Sequence, residues 1–191
     1  MAIDRKQQII EAATKFFSLF GYKATTMDQV AKLANVGKGT IYTFFKNKEE
    51  LFDDIVSTLI TEMKITADES FDPLQSFHKN AHRVLYNILE FRLKHQLTIK
   101  LFQEGLEMGT PAVKDMMEKL EKAILSFIKE RVEDALKKGE IRTCDPEITA
   151  FIMLKLYVSL IFDWEKHHQP LNKKEIAELF ELYIFKGLSP K

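Results

Sequence analysis

Residues 21–52, GYKATTMDQVAKLANVGKGTIYTFFKNKEELF, limit what this chain can fold into more than any other stretch. Thr26-Met27-Asp28-Gln29 fits a capping box, with Thr26 as N-cap and Gln29 reaching back to its amide. A short helix follows, expected to bury Val30, Ala31 and Leu33. Asn35-Val36-Gly37 reads as a tight turn, and a third helix covers residues 38–45. Two short helices around a tight turn are the arrangement that lays a helix in the major groove of DNA.

The rest of the chain extends the helical reading. Ile9, Ala12, Ala13, Phe16, Phe17 and Phe20 recur at helical spacing and predict a first helix over residues 3–20, stopped by Gly21 in the left-handed conformation. Asn47 caps a fourth helix that runs to about residue 69 and connects the two halves of the chain. Asp72-Pro73 opens a fifth, over residues 73–94. A sixth covers 97–108, and a long seventh runs from Pro111 to Lys138 before Gly139. Asp145-Pro146 opens an eighth that reaches about His167, and Asn172 caps a ninth that ends near Lys186. Only seven Gly and five Pro interrupt 191 residues, and no strand alternation appears. The fold class is all-α with about nine helices: an N-terminal helix-turn-helix domain over 1–47 and a helical ligand-binding and dimerisation domain over 48–191.

Net charge is zero, which argues against a general nucleic-acid coat, but the charge is unevenly spread. Residues 1–48 carry eight basic side chains against three acidic ones and are +5, leaving −5 for the remainder. Such asymmetry puts a cationic footprint at one end of the molecule. The single cysteine, Cys144, cannot form an internal disulfide and suits a reducing, cytoplasmic setting. The apolar run 148–162 is too short and too interrupted for a membrane span.

The candidate DNA contacts follow from chemistry at the third helix. Gly37 and Gly39 leave its N-terminus open to phosphates and base edges, where free amides at the positive end of the dipole favour phosphate oxygens. Lys38 can reach a phosphate or a guanine edge, while Thr40 and Thr43 are small enough for base contacts. The Tyr42 hydroxyl and Thr26, with the neighbouring Met27 at the start of the second helix, are candidates for the backbone. Lys46 and Lys48 would pin the flanking phosphates. Ile41, Phe44 and Phe45 read as packing residues.

The last two predicted helices are apolar on most sides, which predicts burial on most sides. A homodimer built on a four-helix bundle would provide it, through Phe151, Leu154, Val158, Ile176, Leu179, Phe180 and Tyr183. A two-fold pair of readers matches a palindromic operator in double-stranded DNA.

One string carries a resemblance: Phe20-Gly21-Tyr22, Ala24-Thr25-Thr26-Met27, Val30-Ala31, Ala34 to Tyr42, Phe45 and Lys48-Glu49-Glu50-Leu51. Over residues 9–55 the chain closely resembles the N-terminal domain of the TetR/AcrR family of bacterial transcriptional regulators. The resemblance implies three helices in the DNA-binding domain, a dimer formed by the last two helices, and repression as the usual mode, with activation as the alternative. It also implies a small apolar or amphipathic effector that enters the C-terminal body and changes the separation of the readers, with the fourth helix as lever. Two positions depart from the family: Gly37, where Ser or another capping side chain is common, and Phe44, where a polar residue is common.

Candidate walls for such an effector are Phe77, Leu85, Leu89 and Phe102, together with Met116, Leu120, Phe127, Tyr157 and Trp164. His78 and His82 have a metal-compatible i,i+4 spacing, yet no third ligand follows, so a solvated helix face is expected and no metal or cofactor is assigned. Gly37-Lys38-Gly39-Thr40 is not a phosphate-binding loop, because Lys32 and Gly39 break the Walker spacing. No paired nucleophile and base supports an enzyme. A purely structural bundle would need neither the +5 charge nor the Gly37/Gly39 turn.

Overall fold

The computed structural model describes residues 4–94, 97, 100, 104 and 110–189. Among these residues the only regular structure is helix, eight helices when joined segments are counted once. The expected sixth helix, 97–108, lies outside the described residues except for Leu97, Lys100 and Glu104.

Helix α1 (Arg5–Ala24) begins at Asp4, whose carboxylate accepts the Gln7 amide. Gly21 breaks it with φ 83° and ψ 170°. The expected left-handed helical stop is therefore corrected: a left-handed turn has ψ near +47°, whereas Gly21 is an extended kink followed by one more turn. Helix α2 (Met27–Leu33) starts with the capping box, Thr26 accepting the Gln29 amide and Gln29 accepting the Thr26 amide. It ends on Asn35 at φ 54°, where Asn35 N–H reaches Lys32 O and Val36 N–H reaches Ala31 O. These paired bonds satisfy the last carbonyls of α2 and turn the chain into α3 (Lys38–Phe44). Val30 and Ala31 are buried as expected, but Leu33 is 46% exposed, because it falls on the face of α2 away from that core. Asn47 accepts the Glu50 amide at 2.8 Å and caps α4 (Lys48–Glu69).

Helix α5 (Phe77–Lys94) starts four residues later than Pro73. Asn80 gives its side-chain protons to Asp72 O and Gln75 O and accepts the Asp72 amide, so residues 72–75 are held as a turn instead. Helix α6 (Pro111–Lys137) ends on Gly139 at φ 68°, where Gly139 N–H bonds Leu136 O and Glu140 N–H bonds Ala135 O. Helix α7 (Pro146–Val158), capped by Asp145, continues as a π turn over Ser159–Asp163 and a 3-10 turn over Trp164–Lys166. Helix α8 (Lys173–Phe180) has a second capping box, Asn172 with Glu175, and continues through Glu181–Phe185 to Lys186–Leu188.

The chain divides into two compact units, Met1–Glu62 with Arg92–Leu120, and Met63–Phe91 with Glu121–Lys191. The expected boundary at residue 47 falls inside the first unit. Leu97, Val113 and Met116 share one core with Ile9, Phe17, Val30, Ile41, Phe45 and Phe52. In the second unit, Phe77 packs with Val132, Ala135 and Ile141, while Leu89, Ile161, Ile176, Phe180 and Phe185 form a further cluster. No described helix is long and apolar enough to cross a membrane.

Candidate nucleic-acid interface

The reader is assembled around the kink at Gly21. The buried Glu104 carboxylate accepts the Tyr22 amide at 2.5 Å, the Lys23 amide at 3.0 Å and the Thr110 hydroxyl at 3.1 Å. A Cβ at Gly21 would overlap Glu104 Oε2, so two conditions demand glycine there: the positive φ and this close approach. Tyr22 lies against Phe17 and Phe52, and its hydroxyl donates to Glu49 at 2.8 Å. Burial, then that bond, push the phenol well above its ordinary range, while the same bond holds Glu49 below the usual carboxylate range.

Lys48 sits under this connection. Its ammonium donates to Tyr22 O and Thr25 O, both at 2.9 Å, and lies 4.2 Å from the Tyr22 ring centroid. Burial lowers its pKa. The side chain expected on a flanking phosphate is therefore engaged in tying α4 to the link between α1 and α2. Lys46 is exposed, and among the described residues no ion pair is formed by its ammonium.

Helix α3 is anchored by Ile41 (0% exposed) and Phe45 (3%). Lys38, Gly39, Tyr42 and Thr43 are exposed and Thr40 is half-buried, so these expected contact residues share one short helix with an outward surface. The Thr43 hydroxyl donates to Thr40 O, which leaves its lone pairs open. A Cβ at Gly39 would meet nothing, and one at Gly37 only Thr40 Oγ1 at 3.6 Å. Neither glycine is required by the chain's own packing. Gly37 caps α3 without a side-chain bond, as its departure from serine implies.

Two expectations at this surface are corrected. Met27 is 8% exposed and belongs to the core, because the Thr26 cap turns the first residue of α2 inward. Phe44, read as packing, is 40% exposed, since it lies on the flank of α3 beside the Ile41–Phe45 anchor. Thr26 gives its hydroxyl proton to Gln29 at 2.8 Å and caps its own helix as expected. Asp28, to which no role was attached from sequence, accepts a proton from Lys38 Nζ at 2.8 Å.

Elsewhere the expected groupings are redistributed. Leu154, Ile176 and Phe180, assigned to a dimer face, are buried within the single chain, and Val158 and Leu179 are half-buried. Phe151 and Tyr183 are exposed, together with Ile148, Ile152 and Leu182. Of the effector-wall candidates, Met116 and Leu120 lie in the first unit, whereas Phe77, Leu85, Leu89, Phe127, Tyr157 and Trp164 lie in the second. Phe77 and Leu89 are filled core. The Phe127 ring faces the Arg131 guanidinium. Trp164 is 40% exposed, stacks on His168 and donates Nε1–H to Gln169 O. Phe102 lies outside the described residues. His78 is not a solvated residue, since its Nε2 lies 2.8 Å from Phe185 O and 3.2 Å from Ser189 Oγ, whereas His82 is exposed. Among the described residues no three His, Cys, Asp or Glu come together as a metal site.

A capped helix, a tight Asn35 turn and an outward helix anchored by two buried apolar residues define a helix-turn-helix DNA-binding protein. Residues 9–55 match the family described as bacterial regulatory proteins, tetR family. The chain is 66% identical over 189 residues to the uncharacterised HTH-type transcriptional regulator YhgD of Bacillus subtilis (strain 168), covering 99% of both chains. This protein belongs to the tetR family and is a DNA-binding transcriptional regulator. That family is one of regulators, not of enzymes. The fold is also that of SmeT in its triclosan complex, with TM-score 0.81, 15% identity and coverage of 99% of this chain and 93% of that one. It is shared with AibR in complex with isovaleryl coenzyme A and operator DNA, with TM-score 0.69, 20% identity and coverage of 93% and 96%.

Proposed function

We propose that this regulator acts in the cytoplasm as a homodimeric repressor, binding a palindromic operator through α3 and released by a small apolar or amphipathic effector. The observation that carries the reading is the division of α3 between its buried anchors, Ile41 and Phe45, and an outward set made of Lys38, Gly39, Thr40, Tyr42 and Thr43. Glycine at 39 serves no packing need inside the chain, which fits a requirement imposed by an approaching duplex. Lys38 serves a phosphate or guanine edge, Thr40 and Thr43 base edges, and Tyr42 and Lys46 phosphates. Thr26 and Lys48 hold the reader in shape. Exposed Phe44 suits a thymine methyl.

The dimer is supported by the apolar side chains left exposed on α7 and the end of α8, with Ile148, Phe151 and Ile152 at i, i+3 and i+4 on α7 and the adjacent Leu182 and Tyr183 on the continuation of α8. Paired readers then match a two-fold operator. The complexes of SmeT with triclosan and of AibR with isovaleryl coenzyme A and operator DNA lend support to a small-molecule effector and a DNA partner.

The test is a gel shift on the region upstream of the protein's own gene, followed by transcription in vitro from that promoter. A salt-sensitive, sequence-specific shift with falling transcript supports a repressor. A shift with rising transcript makes the protein an activator. Absence of any specific site in a genome-wide operator selection would remove the operator reading.

A further inference from the structure

The reading surface of a DNA-binding protein carries an unexpected acid. Asp28 lies in the first turn of α2, and its Oδ2 accepts a proton from Lys38 Nζ at 2.8 Å. Both side chains are exposed, Lys38 at 67% and Asp28 at 61%. The bond to Asp28 favours the charged form of Lys38. A carboxylate beside the first residue of α3 repels phosphate, so a cation meant only to neutralise the DNA backbone gains nothing from this neighbour.

The pair has other chemistry to offer. A lysine ammonium has three protons, and Asp28 takes one, leaving two for further acceptors. Asp28 likewise keeps lone pairs for further donors. The pair is formally neutral, so it displaces no counterion and adds nothing to salt-dependent affinity. What remains is one group that donates and one that accepts, side by side. The major-groove edge of a G·C pair presents the complement: guanine O6 and N7 accept, and the cytosine N4 amino group donates. Guanine O6 and cytosine N4 are themselves joined by a hydrogen bond of about 2.9 Å, a spacing that matches Lys38 Nζ to Asp28 Oδ2.

We propose that Asp28 and Lys38 together read one G·C base pair in each operator half-site, Lys38 donating to guanine and Asp28 accepting from cytosine. This rests on the operator-binding reading above. Asp28 is then a specificity residue: it withholds Lys38 from phosphates and selects the base pair.

The experiment is operator selection from a random duplex library with the full-length protein. Anisotropy titrations then compare the selected site, the same site with a candidate G·C changed to A·T, and a random duplex across a salt series. Wild type should lose about tenfold or more in affinity at one G·C pair per half-site. Asp28→Asn frees the lysine charge, so random-duplex affinity should rise, the salt slope should steepen by about 0.9, and discrimination at that pair should fall. Asp28→Asn combined with Lys38→Met removes a formally neutral pair, so it should abolish the same discrimination while leaving the salt slope unchanged. Two results would overturn the pair: Asp28→Asn with slope and discrimination as in wild type, or the double variant weakening all duplexes equally and lowering the slope by about 0.9. Wild type without any specific, salt-dependent binding would instead remove the operator reading, and the pair with it.

Discussion

The carboxylate of Glu104 occupies the space that a side chain on Gly21 would need. It also receives the amides of Tyr22 and Lys23, immediately after the kink at φ 83°. Glycine and acid are therefore one structural feature, built from residues 83 positions apart. Gly21→Ala should cost about 2 kcal/mol or more, since it adds both backbone strain and overlap. Glu104→Ala strips the acceptor from those amides and should cost about 1–3 kcal/mol for each. In the Glu104→Ala background the Gly21→Ala penalty should shrink, because only the backbone term remains. Urea denaturation of the four proteins checks this as a double-mutant cycle, and strict additivity would show that the overlap is relieved some other way.

Lys48 and Lys46 should separate structure from DNA contact. Lys48→Met removes two bonds from a charged donor to Tyr22 O and Thr25 O, each worth about 1.5–3 kcal/mol. Its thermal midpoint should drop while the salt slope of DNA binding stays as in wild type. Lys46→Ala should do the reverse, with stability within about 0.5 kcal/mol and a slope lower by about 0.9. A lowered slope for the Lys48 variant would assign that ammonium to a phosphate.

Tyr22 makes a prediction about alkaline pH. Its phenol is raised above an ordinary value of 10.0, chiefly by burial and then by the bond to Glu49. The folded state thus holds the proton more tightly than the unfolded one. Its contribution is complete below about pH 10 and is lost as pH rises from there toward the folded value. Tyr22→Phe loses the Glu49 bond, costing about 1 kcal/mol at pH 8. Above pH 10 the variant should fall off less steeply than wild type. Urea midpoints for both between pH 8 and pH 11 measure the difference, and parallel curves would mean that the phenol titrates normally.

The apolar side chains left outside on α7 and α8 predict where dimers part. Phe151→Asp combined with Tyr183→Asp changes two exposed residues, and should give a helical monomer by light scattering. Phe180→Asp places a charge at a site only 2% exposed, and should cost more than about 3 kcal/mol. A double variant that stays dimeric would move the interface away from these helices.

Much of the fold is visible in sequence because its signals are local. The caps made by Thr26, Asn47, Asp145 and Asn172 are relations between residues two or three apart, and each is formed as the pattern predicts. The turn before α3 and the halt at Gly139 are likewise short-range backbone chemistry. Reading fails where the deciding partner is distant. The start of α5 depended on Asn80 reaching back to Asp72. Lys48 looked like a free cation until Tyr22 and Thr25 presented their carbonyls. Glu104 resembles any charged residue of an amphipathic helix, and nothing near it in the chain announces a buried acid.

What the chain alone determined was the succession of helices, their boundaries to within a turn in most cases, and the reader's outward set, because helical periodicity and capping act over a few residues. Tertiary structure decided which apolar residues became core and which remained outside. Ile176 and Phe180 went inward while Phe151 and Tyr183 stayed exposed, although all four look alike in sequence. It also decided the pairing of Asp28 with Lys38 across the turn. Burial and ion pairing depend on what another segment brings within a few ångströms, and one helix does not encode the position of its neighbour.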